Sequence, residues 1–436
     1  MTTIENIKER FHQLQSNNGS SQLTPIEQNA FDAFSKMGIP TVKHEEWKYT
    51  RISGLFNKEF EFTPGRLTTS LSRKDLDAVR LPGHEQANEL MFVNGMYSPL
   101  LSTIRSAALV VLPLEEAAEN EYRDIVSNHL GHSGKYVKDG IHALNTAFVQ
   151  EGVFIHAKKG QATEHPIYIY HITDARSANI LSQPRSLVHI SENAQVQLVE
   201  TYATIGMAES FTNEVMEIIV EKDSMVEYYK IQNDAARTNQ VSTTHFRQVG
   251  KSYIHAVTIS LNGGIVRNNL TIALEAKHCE AHLYGLYFLK DQTHNDNHTV
   301  VDHAKPNCLS NELYKGIIND SATAVFNGKI FVQPQAQKTN AYQSNKNILL
   351  SDAATVNTKP QLEIFADDVK CSHGCTVGRL DEEGLFYLRS RGISEKIARS
   401  LLVHAYAIDI LEHIKPVLLR NYIDQLISER VEFDIT

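Results

Sequence analysis

The sequence predicts a mainly β chain, a parallel β-helix set between a mostly helical N-terminal region and a helical C-terminal region. Three observations carry that prediction. From Val153 onward, short Val/Ile/Leu/Tyr-rich segments alternate with polar corners. Those segments repeat: SLVHISENAQVQLVET (from Ser186), VMEIIVEKDSMVEYYK (from Val215), THFRQVGKSYIHAVT (from Thr244), LTIALEAKHCEAHLYG (from Leu270) and LYKGIINDSATAVFNG (from Leu313) each read as strand, polar corner, small residue, strand. The small residues Ala194, Ser224, Ser252 and Cys279 recur at spacings of 30, 28 and 27, and Ser321 follows after 42, which implies an inserted loop. A two-sheet sandwich would need a hairpin about every 8–12 residues. Asn-Gly turns are rare here, so the period is that of whole coils, each burying its apolar face only by stacking on its neighbours. NILLSDAATV (from Asn347) and VFIHAKKGQA (from Val153) read as further copies.

Three zones follow: 1–150, mostly helical; 151–375, the β-helix; and 376–436, helical. In the first, a Ser/Asn/Gly linker over 15–22 precedes Thr24-Pro25-Ile26-Glu27, which offers a capping residue, a proline at the first helical position and an acid three residues on. Gly38 then stops the helix. MFVNGMYS (from Met91) places Asn94-Gly95 between apolar runs, as in a tight hairpin, and 114–130 and 139–150 carry helical patterns. In the last zone Asp381, Glu382 and Glu383 suit a helix start, with Leu385 and Leu388 on one face and Gly392 as its stop. Ser394 caps a second helix whose Ile397, Leu401, Ile408 and Leu411 are spaced as one buried face. Pro416 opens a third helix carrying Leu418, Tyr422 and Leu426.

The bulk numbers exclude several classes. With 436 residues, core size does not limit stability. The 42 basic and 51 acidic residues leave a net charge of −9 without a basic tail, which argues against a nucleic-acid partner. Four cysteines are too few for a disulfide scaffold and fit a reduced cytoplasm. The start MTTIENIKERFHQLQ has no apolar signal region, and no run of about 18 apolar residues offers a membrane span. G-x-x-x-x-G-K-[ST], G-x-S-x-G and G-x-G-x-x-G are all absent, so any ATP chemistry must come from a partner.

Two stretches could carry metal chemistry. In VKCSHGC, Cys371, His373 and Cys375 fall on one strand face with Val369. Thiolate and imidazole suit zinc or iron-sulfur species, yet three such residues on a straight strand span about 13 Å and a closed zinc site needs four ligands. The row is either an incomplete site finished by another subunit, or a core cysteine followed by half-exposed neighbours. D291QTHNDNHTVVDHAKPNC308 holds His294, His298 and His303 with Asp291, Asp296 and Asp302; it reads as a solvated loop, or as the centre of a β-helix carbohydrate-active enzyme. Trp47 reads as an anchor at a domain junction.

Taken together, K370CSHGCTVGRLDEEGLFYLRSRG392, MGIPTVKHEEWKYT (37–50) and DNHTVVDHAKPNCLSNELYKG (296–316) resemble the SufB/SufD family of iron-sulfur cluster assembly proteins, on its SufD side, since SufB normally lacks the K-C-S-H-G form. The resemblance implies a right-handed parallel β-helix between helical ends, and a non-catalytic scaffold. It further implies pairing with a SufB-like paralogue through the β-helices, or a homodimer in isolation. The C-terminal helices, 381–427, would hold a SufC-like ABC ATPase. It makes His373 a ligand to a transient iron-sulfur cluster at the interface, gives Cys371 a weaker share, and leaves Cys375, where the family often has alanine, as an added ligand or a tolerated small residue.

Overall fold

Parallel strands recur every 27 to 31 residues through the middle of the chain because each coil gives one strand to each of two sheets. The computed structural model describes residues 3–17, 21–62 and 71–433. It shows a parallel β-solenoid of about 8 turns between helical N- and C-terminal regions. Sheet one contains Ile167–Ala175, Gln195–Gly206, Met225–Asn233, Tyr253–Asn262, Glu280–Leu289, Leu309–Ile318, Thr339–Leu349 and Val369–Arg379 in that spatial order. Sheet two contains Val153–Ala157, Arg185–Ile190, Ser210–Val220, Thr238–Gln248, Ile265–Leu274, His294–His303, Thr323–Val332 and Thr355–Ile364. Side chains alternate across each strand. One set, including Leu198, Val226, Ile254, Leu283, Ile218, Ile272 and Phe326, fills the space between the sheets.

The corners explain the small residues. Asn193, Asp223, His278, Asn307 and Lys338 take left-handed backbone (φ 57 to 62°), and the amide of each donates to a carbonyl of the next coil. The buried residue after the turn must fit inside the bend, and Ala194, Ser224, Cys279 and Cys308 do so. Ser321 does not belong to this series. It is exposed beside Asp320 at the corner leading into sheet two, where Ala322 is the buried residue. Cys308 is the true successor of Cys279, so no loop is inserted.

The two ends of the solenoid differ. At its start, Asn88–Val93 joins sheet one and turns back through Asn94-Gly95 into antiparallel Met96–Tyr97, as the Asn-Gly pair predicts. Leu109–Pro113 likewise closes sheet two antiparallel to Val153–Ala157. At its finish, among the described residues, Val369–Arg379 pairs only with Thr339–Leu349, and Thr355–Ile364 only with Thr323–Val332.

Helices α1 (Thr3–Asn17), α2 (Thr24–Met37) and α6 (Gly140–Thr146), with Trp47 from the single turn Glu45–Trp47, cover the outer face of sheet two, where Phe11, Phe34, Trp47 and Leu144 share a core cluster with Phe211 and Val241. Helix α1 runs into the region read as a linker, whose residues 18–20 lie outside the described residues. Thr24 is the first residue of α2 rather than its cap, its hydroxyl accepting from Ser21 N at 3.0 Å; Gly38 (φ 65°) ends the helix as expected. The 114–130 pattern divides into α4 (Leu114–Glu119) and α5 (Arg123–His129), because the Asn120 side chain accepts from Tyr122 N at 3.0 Å and competes with the helix. The 139–150 pattern shortens to α6, capped by Asp139, and a single turn at Val149–Glu151. Helix α3 (Arg73–Val79) carries a Ser72/Asp75 capping box.

Trp47 is the junction anchor the sequence predicts. It is 1% exposed, donates from Nε1 to Asp139 Oδ2 at 3.0 Å, and lies under the Arg267 guanidinium at 3.9 Å. Arg267 in turn pairs with buried Asp296 at 2.7 Å.

Helices α7 (Glu382–Ser390), α8 (Glu395–Leu411) and α9 (Val417–Phe433) follow the last strand. Asp381 and Ser394 cap α7 and α8. Val403, Ala407, Ile410, Leu419, Ile423 and Ile427 seal the outer face of sheet one. The buried face predicted for α8 is therefore wrong in its members: Ile397 (54%), Leu401 (48%) and Ile408 (42%) are exposed, and only Leu411 is buried. On α9, Leu418 is exposed while its neighbour Leu419 is buried. Among the described residues no helix is long and apolar enough to cross a membrane.

Breaking the Trp47–Arg267–Asp296 clasp should be costly, because Asp296 would keep a buried charge without its cation. Arg267→Leu is expected to lower unfolding free energy by about 3–5 kcal/mol, read by chemical denaturation.

Candidate functional site

The terminal strand Val369–Arg379 is an edge, with one side of its backbone unpaired. Its register sets Cys371 beside Ala341, His373 beside Gln343 and Cys375 beside Asn345. Ala341, Gln343 and Asn345 are buried inside the solenoid, so this row faces the interior direction. No further coil stacks on it, and exposure grows along the strand. Cys371 is half-buried against the core, whereas His373 and Cys375 are exposed. Burial pushes the Cys371 thiol up, away from the thiolate a metal needs. The three sequence-predicted residues thus share a face, as expected, and do not converge: among the described residues no three His, Cys, Asp or Glu groups could hold a metal ion.

Behind His373 lies a residue that the sequence reading missed. Gln343 donates from Nε2 to Glu312 Oε2 at 2.8 Å, and Glu312 follows Gln343 in the same register on the next strand. Glu312 is 1% exposed, and burial raises its carboxyl to about 7 despite the hydrogen bond from Gln343. A signal was present in LSNELYKG: Glu312 shares the inward parity of Ser310 and Tyr314, so an acid there had to be interior.

The stretch 291–303 is not a loop. His294–His303 is a full strand of sheet two. Alternation sends Asn295, Asn297 and Thr299 inward with His303, and leaves His294, Asp296, His298 and Asp302 on the outer face. The charges that made it look solvated are met by the N-terminal region. Thr50 Oγ1 lies 2.9 Å from His294 Nε2 and donates to Asp296 Oδ2 at 2.5 Å; Tyr136 Oη donates to Asp302 at 2.8 Å. His298 bridges Asp296 (2.9 Å) and Glu46 (3.4 Å), and with Lys329 it brings the Glu46 carboxyl down to about 2. Inside, His303 Nε2 bonds Ser310 Oγ at 2.8 Å.

The second exposed feature is apolar. Phe386 (74%) and Tyr387 (57%) on α7, Ile397, Leu401 and Ile408 on α8, and Val417 (56%) and Leu418 (60%) on α9 stand in solvent while the opposite faces of α8 and α9 seal sheet one. Such a concentration on a small helical unit marks an interaction face.

Two family models match the chain: the "SUF system FeS cluster assembly, SufBD core domain" over residues 171–406 and the "SufBD protein N-terminal region" over residues 5–169. The chain belongs to the SufBD family of iron-sulfur cluster assembly proteins. It is 32% identical to an iron-sulfur cluster assembly SufBD family protein of Synechocystis, over 92% of this chain and 90% of that one. It is 29% identical to iron-sulfur cluster assembly protein SufD of Escherichia coli, over 98% and 97%. Protein ABCI7, chloroplastic, of Arabidopsis thaliana is 31% identical over 62% of this chain and 58% of its own. The resemblance carried by residues 37–50, 296–316 and 370–392 is therefore a family membership, and all three stretches fall inside the matched chain. The enzyme alternative loses most of its loop, since His294–His303 is a ladder strand whose outward His294, Asp296, His298 and Asp302 are committed.

Glu312 supplies a pH test. Its folded value lies above the ordinary glutamate value of 4.5, so the folded state binds the extra proton between those values and stability falls as pH rises from about 4.5 to about 7. Glu312→Gln is expected to remove that slope and to stabilise the protein by roughly 1–3 kcal/mol at pH 8, with little change at pH 4, in denaturant unfolding at both pH values.

Proposed function

We propose that this chain is a non-catalytic scaffold subunit for iron-sulfur cluster assembly. It pairs through its open coil with a SufB-like paralogue, binds a SufC-like ABC ATPase on α7–α9, and presents His373, with Cys371 in a lesser part, to a transient cluster at the paralogue interface. The carrying observation is the unpaired terminal strand that exposes His373 at the one uncapped end of the solenoid. An edge of this length is a template for strand addition by another chain. Val377 (49%), Ile364 (40%) and Phe365 (58%) supply apolar area around it.

A single imidazole beside a half-buried thiol is an incomplete ligand set. A cluster, which here is cargo, needs further thiolates or imidazoles, and the partner supplies them across the interface. His373 contributes an exposed imidazole nitrogen from the terminal strand; Cys371 must lose a proton and leave its packing to bind, which ranks it second. The ATPase acts through the helices: its nucleotide-dependent movement opens or closes the interface. Cys375 is an exposed neighbour with no side-chain partner among the described residues. A homodimer through the same edge is the competing arrangement for the isolated chain, since a second copy presents the same unpaired strand.

Co-expression with SufB and SufC partners tests both contacts. His373→Ala is expected to leave the complex intact and to lower its acid-labile sulfide and bound iron severalfold; normal cluster content in an intact complex would falsify the ligand role. Phe386→Glu with Leu401→Glu is expected to abolish co-purification of the ATPase while changing the chain's own stability by less than about 1 kcal/mol, because both side chains face solvent.

A further inference from the structure

We propose that a cleft on the outer face of sheet two binds a small organic anion bearing phosphate groups. The cleft has a volume of about 730 Å³, within the range of small-molecule sites. It lies between the 36–47 segment, the 135–140 segment and three strands: Ile265–Leu274, His294–His303 and Thr323–Val332. Two stretches that the cluster reading leaves without a role, 37–50 and 296–316, meet here through Glu46, Trp47, His298 and Val300.

Charge decides the class of ligand. The acids that line the cleft are all committed. Glu45 pairs with Lys359 at 2.5 Å, and Glu46 with Lys329 at 2.5 Å. Asp139 accepts from Trp47 Nε1 and from the amides of Ile141 and His142. Arg267 is held by Asp296 and the Glu46 carbonyl. The lysines are not balanced in this way: Lys36 and Lys138 are exposed on the rim, outside every hydrogen bond and ion pair of the described residues, and Lys135 meets only the ring nitrogen of His132 at 2.7 Å. Three ammonium groups around one mouth, with no free carboxylate opposite, select an anion, and lysine serves phosphate as a mobile point charge. Below the rim, Val300 and Phe331 project half-buried from the sheet beside Tyr136, an apolar floor for the body of the ligand. Phosphates sit at the lysines and a flat organic group lies on that floor. None of these residues is on the terminal strand, so the site stands independently of the cluster reading.

Trp47 is the chain's single tryptophan and forms part of the wall, so its emission reports occupancy. The full chain is titrated with ATP, inorganic pyrophosphate and adenosine, by fluorescence and by calorimetry, which does not depend on the fluorophore. ATP is expected to bind saturably, pyrophosphate more weakly, and adenosine not at all in the same range. Lys36→Glu with Lys138→Glu is expected to weaken ATP by at least about tenfold with an unchanged melting temperature, whereas Lys251→Glu, far from the cleft, leaves it unaltered. Absence of saturable ATP binding by both methods at millimolar concentration overturns the proposal. So does equal affinity for pyrophosphate and ATP, which removes the apolar floor, or an unweakened double variant, which removes the lysines.

Discussion

A β-coil buries its inward face only against the coils beside it, and everything distinctive about this molecule follows from where that stacking stops. At the start of the solenoid the problem is solved within the chain: Met96–Tyr97 and Leu109–Pro113 run antiparallel to the first strands and close both sheets. At the finish nothing comparable occurs. Among the described residues the last two strands, Thr355–Ile364 and Val369–Arg379, each have one paired and one unpaired edge, and all their residues are half-buried or exposed. Natural sheets blunt such edges with charge, proline or a covering segment. Here Phe365 and Val377 remain in solvent near the end of the coil stack that carries His373.

The interior is less apolar than a stacking argument alone would require. Lys230 lies between Glu200 (3.4 Å) and Glu214 (3.7 Å), all at most 3% exposed. Burial would raise Glu200, yet Lys230 and a hydrogen bond from His171 hold it down at about 2, while burial and the neighbouring Glu200 push Glu214 well above the ordinary range. One lysine thus faces two buried carboxyls, and it favours the charged form of Glu200 over that of Glu214. Toward the open end the lining turns to Tyr287, Tyr314, Gln343, Asn345 and Asn347, joined by side-chain hydrogen bonds such as Asn345 Nδ2 to Tyr287 Oη at 2.9 Å. Buried pairs of this kind add little net stability. The apolar seal on the outside of each sheet, from α1, α2 and α6 on one and α8 and α9 on the other, carries a larger share than in a solenoid with a purely aliphatic core.

What was legible in the sequence follows the range of the interactions. The Asn94-Gly95 hairpin, the Gly38 and Gly392 stops and the Ser394 cap are set by neighbours a few residues away, and each appears where the sequence predicts it; the coil period was legible because it repeats along the chain. Errors arose where a distant partner decides. His294 to His303 looked like a loop because its charges had no local partners; Thr50, Glu46, Arg267 and Tyr136 are remote in sequence. The exposed row Ile397, Leu401 and Ile408 has the same spacing as a buried face, and only the position of sheet one tells the two apart. Ser321 misled by chemistry alone, being small and polar at the wrong corner. The terminal motif was half legible: alternation placed Cys371, His373 and Cys375 on one face, but the graded exposure along that face depends on the absence of a following coil.

That gradient and the short connection after it belong together. Val369–Arg379 ends three residues before α7 begins at Glu382, and of the two residues between them Leu380 is buried with the α8 and α9 side chains while Asp381 caps α7. The link has no slack. A partner that grips the exposed faces of α7 and α8 and shifts them must either pull Leu380 from its packing or carry the end of the terminal strand along, and moving a strand paired on one side only is the cheaper course. The edge that presents His373 is therefore coupled to the helical unit by covalent geometry, with the preceding coils, whose strands are paired on both edges, serving as the fixed frame.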